Sequence, residues 1–269
     1  MNKMNKALSY FKRGLYFLWK EMPWEQHKLR KKASQFVLNY SDEGDARLTT
    51  MSGLTWLVKM ILSQAVGSNV VPVTDRQYEY AYVVEKFREY NIRNKDILDI
   101  GSSGSILPTI LAALGNWVIC IDVRKWPVVW ENLEVVKCEL ADADIAPESI
   151  DIITCISTIE HVGLSNYGDQ EDIDGDIKGI AMLRKYLKPK GKMILTTPFG
   201  KAAIFYPYHR IYDNSRFSKL TSGFSVLDKR YFGPIDKPDV YRPCSEKETY
   251  SVDTGKGYAI ICCLLEKEL

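Results

Sequence analysis

Three sets of residues in this chain have types and spacing suited to chemistry. The first is the run Asp99-Ile100-Gly101-Ser102-Ser103-Gly104-Ser105. Glycine there lets the backbone turn sharply and approach a ligand with no Cβ in the way. A helix starting directly afterwards offers free N–H groups to a carboxylate or phosphate. The second is Asp122, roughly twenty residues beyond the turn, where a carboxylate can accept hydrogen bonds from both hydroxyls of a ribose. The third is Glu160-His161, with His209 further on. Near neutral pH a histidine can take the proton of a hydroxyl whose oxygen attacks. Each feature has a plain alternative: tight α/β turns need glycine, strand-end Asp residues are often solvated, and a histidine can simply brace a loop. The turn and Asp122 together, at this spacing, point to a nucleoside cofactor.

The elements that must position these residues read as alternating strands and helices. Thr74-Asp75-Arg76-Gln77 is a capping box that opens a helix, with Tyr78, Ala81, Tyr82 and Phe87 on one side. Short apolar runs follow at 97–100, 117–121, 133–136, 150–156, 193–197, 224–227 and 258–265. Helices are expected over 107–114 and 176–187, the second stopped by Pro189 and Gly191, and Pro198 is read as the end of the fifth run. Apolar runs this short and unbroken, separated by helices, indicate a parallel sheet covered on both faces. The expected fold is α/β, a Rossmann-like, mostly parallel seven-stranded sheet with helices on both faces. It occupies a domain over residues 74–269, behind an N-terminal helical basic segment over residues 1–73. In such sheets the ligand sits over the carboxyl ends of the strands, where strand order reverses.

Residues 96–200 resemble the core of a Class I S-adenosylmethionine-dependent methyltransferase. Ile97-Leu98-Asp99-Ile100-Gly101 is similar to motif I of that family, and Asp122 to its ribose-binding acid. Ser149-Ile150-Asp151-Ile152-Ile153, followed by Ile159-Glu160-His161-Val162, resembles its fourth strand and the segment after it. Leu187-Lys188-Pro189-Lys190-Gly191-Lys192-Met193-Ile194-Leu195 resembles the turn into its fifth strand. The resemblance implies S-adenosyl-L-methionine as cofactor, with Asp99, Gly101, Ser102, Ser103 and Gly104 shaping the methionine and ribose pocket. Glu139 and Leu140 would flank the adenine, Asp142 being an alternative to Glu139, and Ile156 and Ser157 would line the pocket after the fourth strand. The family has glycine where this chain has Ser103 and Ser105. A side chain at Ser103 limits positive φ, so a different loop path is expected, with serine hydroxyls available to a cofactor carboxylate.

The same resemblance implies methyl transfer to an oxygen acceptor, with His161 the favoured base and His209 the second choice. Some relatives bind a divalent cation through a Glu-x-x-Glu-His segment. Here Ser157 stands at the first position, only Glu160 and His161 match, and no metal is assigned. The segments Gly163–Asp169 and Asp172–Asp176 resemble a narrower group often found in surface-glycan or natural-product pathways, which favours a sugar-like acceptor, a small molecule or glycan. The acidic run fails calcium-loop spacing at Gln170 and Ala181 and reads instead as a loop in which Asp174 or Asp176 caps the next helix. The aromatic stretch Phe205–Tyr212 is read as acceptor contact, with Arg210 available to an anionic group.

The 269 residues suffice for one α/β core with an added segment. A net charge of +2 gives no global case for nucleic acid. Within residues 1–32, basic residues and aromatics interleave in the manner of an amphipathic helix able to lie on an anionic membrane surface, or to pack on the domain with its lysines in water. His27 within it reads as exposed. No run has the ~20 apolar residues a membrane span requires, no secretory signal is evident, and the six cysteines form no C-x-x-C pair, so a reduced, cytoplasmic setting is expected. Two rivals remain. A nicotinamide-dependent oxidoreductase needs G-x-G-x-x-G, and its Tyr186/Lys190 match is spoiled by Pro189. A non-catalytic, membrane-associated binding protein could keep the fold.

Overall fold

The computed structural model describes residues 74–236, 240–255 and 257–269. The chain divides into units 1–61 and 62–269, and all described residues belong to the second. The basic segment, with its membrane-contact reading for residues 1–32, lies outside the described residues.

Helix α1 (Asp75–Glu89) opens with the capping box, Thr74 N–H donating to Gln77 Oε1 at 2.9 Å. Strand β1 (Asp96–Ile100), helix α2 (Leu107–Ala113), β2 (Trp117–Asp122), β3 (Leu133–Lys137) and β4 (Ile150–Ile156) follow. Short 3-10 turns occupy Leu140–Asp142 and Ile159–His161. Helix α3 (Gly175–Tyr186) leads into β5 (Leu187–Phe199), then the hairpin β6 (Ala203–Phe205) and β7 (His209–Ile211). Helix α4 (Asn214–Leu220), β8 (Phe224–Gly233), β9 (Arg242–Cys244), α5 (Glu246–Thr249) and β10 (Ala259–Lys267) complete the unit.

The main sheet has strand order β3-β2-β1-β4-β5-β10-β8-β9. Neighbours from β3 to β5 are parallel, whereas β10 runs antiparallel to both β5 and β8. The Rossmann-like, mostly parallel sheet therefore stands as expected, with an eighth strand at its edge. That strand, β9, has three residues including Pro243, too short to leave an apolar run. Strand β5 begins at Leu187 rather than near 193, because a register shift between Ile150 and Ile152 absorbs Pro189 and Gly191. It also runs on through Pro198, beyond its last β4 partner Ile156. Two apolar clusters form the core, one containing Leu98, Ile153 and Leu195, the other Ile97, Ile152 and Ile194. Successive strand residues thus feed opposite layers, which is why the runs are unbroken. No helix among the described residues is long and apolar enough to cross a membrane. All six cysteines are unpaired, with Cys120, Cys155, Cys262 and Cys263 buried in strands.

The acidic loop corrects one expectation. Asp174 occupies the N-cap position of α3, but its side chain makes no capping bond. Asp176 instead turns inward, fully buried, and accepts from Tyr212 Oη at 2.9 Å and from Arg216 Nε and Nη2 at 3.0 and 2.6 Å. Removing this carboxylate strands buried donors and part of a buried charge. Urea unfolding of Asp176→Ala should show a loss of about 3–5 kcal/mol, and Tyr212→Phe a loss of about 1 kcal/mol.

Candidate active site

Strand order reverses at β1, which lies between β2 and β4, so loops leaving their carboxyl ends border one crevice. Gly101 and Gly104 adopt φ of +77° and +81°. Gly101 N–H donates to Ile121 O at 2.8 Å, joining the turn to β2. Its bare Cα faces Thr158, whose Oγ1 would lie 2.1 Å from a Cβ. That threonine is itself held, Oγ1 bonding Ile100 O at 3.1 Å and Ile156 O at 2.9 Å. Two residues on, Ser103 N–H donates to Asp122 Oδ2 at 2.8 Å. The glycine turn and Asp122 therefore meet at one rim.

The serine backbone follows the expected path, while the hydroxyls of Ser102 and Ser105 are engaged within the protein. Ser103 does not take a positive φ; Gly104 supplies the second left-handed position one residue later. Ser102, buried, bonds back to Asp99 O at 3.0 Å. Ser105 Oγ meets Tyr80 Oη at 2.9 Å and accepts Leu107 N–H at 3.1 Å at the start of α2. Both hydroxyls thus brace the turn.

Asp99 is buried below the rim, and its Oδ1 accepts the Thr154 hydroxyl. Burial pushes its carboxyl up to about 6, against the pull of the Thr154 bond. Asp122 Oδ1 accepts from the Arg124 N–H at 2.8 Å and Nε at 3.0 Å, and Oδ2 from Arg124 Nη2 at 3.0 Å. Glu139 and Asp142 are exposed at the turn after β3, while half-buried Leu140 packs toward Gly179 of α3. Ser157 takes φ of +42° at the end of β4 and donates to Glu79 Oε1.

Glu79 was not anticipated. It is fully buried and gathers the Ser157 hydroxyl, the Thr196 hydroxyl at 2.7 Å and Arg76 Nη1 at 2.9 Å, tying α1 to the ends of β4 and β5. Burial raises its pKa, opposed by Arg76. Its one sequence signal is a carboxylate at apolar-face spacing with Tyr82, Val83 and Lys86.

After β4, His161 Nδ1 bonds the Tyr208 carbonyl at the tip of the β6–β7 hairpin. A carbonyl only accepts, so Nδ1 carries the proton and Nε2 keeps its lone pair. Nε2 lies 3.8 Å from Glu160 Oε1, too far for a hydrogen bond. Burial lowers the pKa of both His161 and His209. His209 packs between Phe205 and Tyr258 at 5.2 and 5.4 Å, and Tyr167 sits edge-on to His161 at 5.5 Å. Glu160 is 2% exposed, its Oε2 has no hydrogen-bond partner among the described residues, and burial pushes it up to about 8. Among the described residues no group of three or more His, Cys, Asp or Glu comes together as metal ligands.

Arg210 does not face an acceptor. It is fully buried and donates to the carbonyls of Glu160 (3.2 Å), Val162 (2.7 Å), Asp172 (3.2 Å) and Ile173 (3.2 Å). It thereby clamps both sides of His161 to the acidic loop. Tyr186 and Lys190 do not form a catalytic pair: Tyr186 Oη reaches Ala143 O at 3.5 Å, and Lys190 pairs with Glu266 at 3.4 Å.

Solved structures share this arrangement of elements. A 1,6-didemethyltoxoflavin-N1-methyltransferase from Burkholderia thailandensis, with 1,6-didemethyltoxoflavin and S-adenosylhomocysteine bound, is 14% identical at a TM-score of 0.53, covering 85% of this chain and 93% of its own. A SAM-dependent methyltransferase from Methanosarcina mazei is 14% identical at a TM-score of 0.50, covering 68% and 97%. This chain has the class I S-adenosylmethionine-dependent methyltransferase fold. Within that fold, β1, β2 and β4 carry the turn, Asp122 and Glu160-His161. Curated relatives of this methyltransferase-fold chain include the ubiquinone biosynthesis O-methyltransferases of Photobacterium profundum, 29% identical over 113 residues (38% of this chain, 43% of the relative), and Stutzerimonas stutzeri, 29% over 117 residues (40% and 46%). The chain spans less than half the length of these relatives. The profile of a family described as Caenorhabditis protein of unknown function, DUF268, matches residues 134–241.

Two outcomes follow from this geometry. Gly101→Ala adds a left-handed penalty of about 1–2 kcal/mol to the clash with Thr158. Thermal unfolding should show the loss, and adding Thr158→Ala should recover part of it. Glu160 holds its proton more tightly folded than unfolded, so its stabilising effect is complete below the unfolded pKa and is lost as pH rises toward about 8. Glu160→Gln should gain on the parent chain by about 1–4 kcal/mol between about pH 5 and about pH 8.5, read by denaturant unfolding.

Proposed function

We propose that this chain is an S-adenosylmethionine-dependent methyltransferase that methylates an oxygen of a small-molecule acceptor. The observation that carries the reading is the meeting of the Gly101–Gly104 turn with Asp122 through the Ser103 N–H at the reversal of strand order. The residues present fit a nucleoside there. Asp122 is held at the rim by a peptide N–H, and Gly104 is exposed with a left-handed backbone. The curated relatives named as O-methyltransferases support oxygen as the acceptor atom.

S-adenosylmethionine would supply an electrophilic methyl on a sulfonium. Asp122 would accept the ribose hydroxyls, Asp99 with the turn residues Gly101, Ser102, Ser103 and Gly104 would shape the methionine and ribose side, and Glu139 and Leu140 would flank the base. Ser157 would border the pocket, its hydroxyl held by Glu79. His161 would take the acceptor proton at Nε2, the nitrogen left basic by the Tyr208 carbonyl. His209 is the second candidate. Alignment and exclusion of water would supply most of the acceleration. The exposed tyrosines Tyr167, Tyr206 and Tyr208 around His161 favour a ring or sugar-like acceptor by stacking. A cytoplasmic setting, with membrane contact through residues 1–32, is part of the same proposal and rests on composition alone.

Calorimetry should register S-adenosylhomocysteine and not NADH, and Asp122→Ala should abolish the signal. Silence with S-adenosylhomocysteine at millimolar concentration, in this chain and in its Arg124→Met variant alike, would favour a non-catalytic protein. Mass spectrometry of phenolic and sugar acceptors with isotopically labelled donor then identifies the product. Because burial holds His161 below the usual histidine range, kcat/KM should fall only as pH drops beneath about 6.5. His161→Gln should remove that limb and cost about 10²–10⁴-fold.

A further inference from the structure

The carboxylate of Asp122 is already saturated, and this bears on any nucleoside that enters. An ionised carboxylate has about four acceptor positions. At Asp122 two serve peptide N–H groups, that of Ser103 on Oδ2 and that of Arg124 on Oδ1, both at 2.8 Å. The other two serve the Arg124 side chain, Nε on Oδ1 and Nη2 on Oδ2, both at 3.0 Å. A ribose brings two neighbouring hydroxyl donors to a carboxylate, the same number in the same fork. On the nucleoside reading of this site, we propose that the Arg124 guanidinium is an internal occupant of the ribose position, which the cofactor has to displace, so that Arg124 sets cofactor affinity.

Exposure shows which partner moves. The Asp122 side chain is 4% exposed and fixed from two peptide bonds, whereas that of Arg124 is 31% exposed. Beyond Asp122, the guanidinium meets, among other partners, the Ser103 carbonyl, 3.4 Å from Nη2, and the face of Tyr167, 5.1 Å away. Tyr167 in turn sits edge-on to His161. Displacing Arg124 therefore removes a contact from the aromatic ring beside the proposed base. Arginine suits this role because its planar fork matches a carboxylate as closely as a diol does, while its long stem leaves it free to leave.

The test is calorimetric titration of S-adenosylhomocysteine into the 269-residue chain and its Arg124→Met and Arg124→Lys variants. Met keeps an unbranched stem of similar length and removes the competing fork; Lys keeps the charge without the fork. Arg124→Met should bind on the order of tenfold tighter, with Arg124→Lys between the two. Raising NaCl to about 0.5 M should narrow the gap, since screening weakens the ion pair that the parent chain has to break. Binding by Arg124→Met alone, with the parent chain silent, supports the proposal in its strongest form. If the parent chain binds and Arg124→Met binds equally or more weakly, the proposal is overturned and the nucleoside reading survives. If none of the three binds, the nucleoside reading fails and takes this inference with it.

Discussion

The hydrogen bond from the Ser103 N–H to Asp122 holds the end of β2 against the turn that follows β1. It can form only because Gly101 and Gly104 bend the chain through left-handed conformations on either side of Ser103. Gly101 also lets Thr158 close on its bare Cα, which brings the segment after β4 to the same place. Three strand ends are thus joined within a few residues. A Cβ at Gly101 would press against Thr158 and disturb the Ile100 and Ile156 carbonyls that Thr158 bonds.

The opposite wall is held by different physics. The stretch from Ile159 to Asp176 anchors Ile159 and Leu164 in the core but leaves several backbone carbonyls outside any sheet or helix. Arg210 answers four of them at once from inside the protein, and Asp176 answers Tyr212 and Arg216. Burying these charges costs desolvation, which their many hydrogen bonds offset. What results is a directional lattice, so the His161 segment has few alternative positions. Apolar packing of the same area would be less specific about geometry.

Acidic groups cluster beneath the rim. Asp99, Glu79 and Glu160 are all buried, and in each the largest influence is loss of solvent, which raises the pKa. They differ in compensation. Glu79 has a guanidinium and two hydroxyls, Asp99 the hydroxyls of Thr154 and Ser102, and Glu160 an oxygen with no partner among the described residues. The floor of the site therefore passes from a paired carboxylate under the β4–β5 ends to a carboxyl that stays protonated at neutral pH beside His161.

Local pattern was enough to read the seven longer strands of the main sheet and the glycine turn, because each depends on residues a few positions apart, but not the short β6, β7 and β9 or the helices α4 and α5. A covered parallel strand has to be apolar along its whole length, and a sharp strand-to-helix turn has to contain glycine. Local pattern misread Arg210 as available to an anionic group, let Asp176 pass for a cap, and was blind to Glu79, whose partners Ser157 and Thr196 lie 78 and 117 residues away. It also missed that the Arg124 side chain occupies Asp122. Periodicity reports which face of an element is buried, but a buried polar group is defined by the partner it finds, and only the folded chain brings that partner within 3 Å.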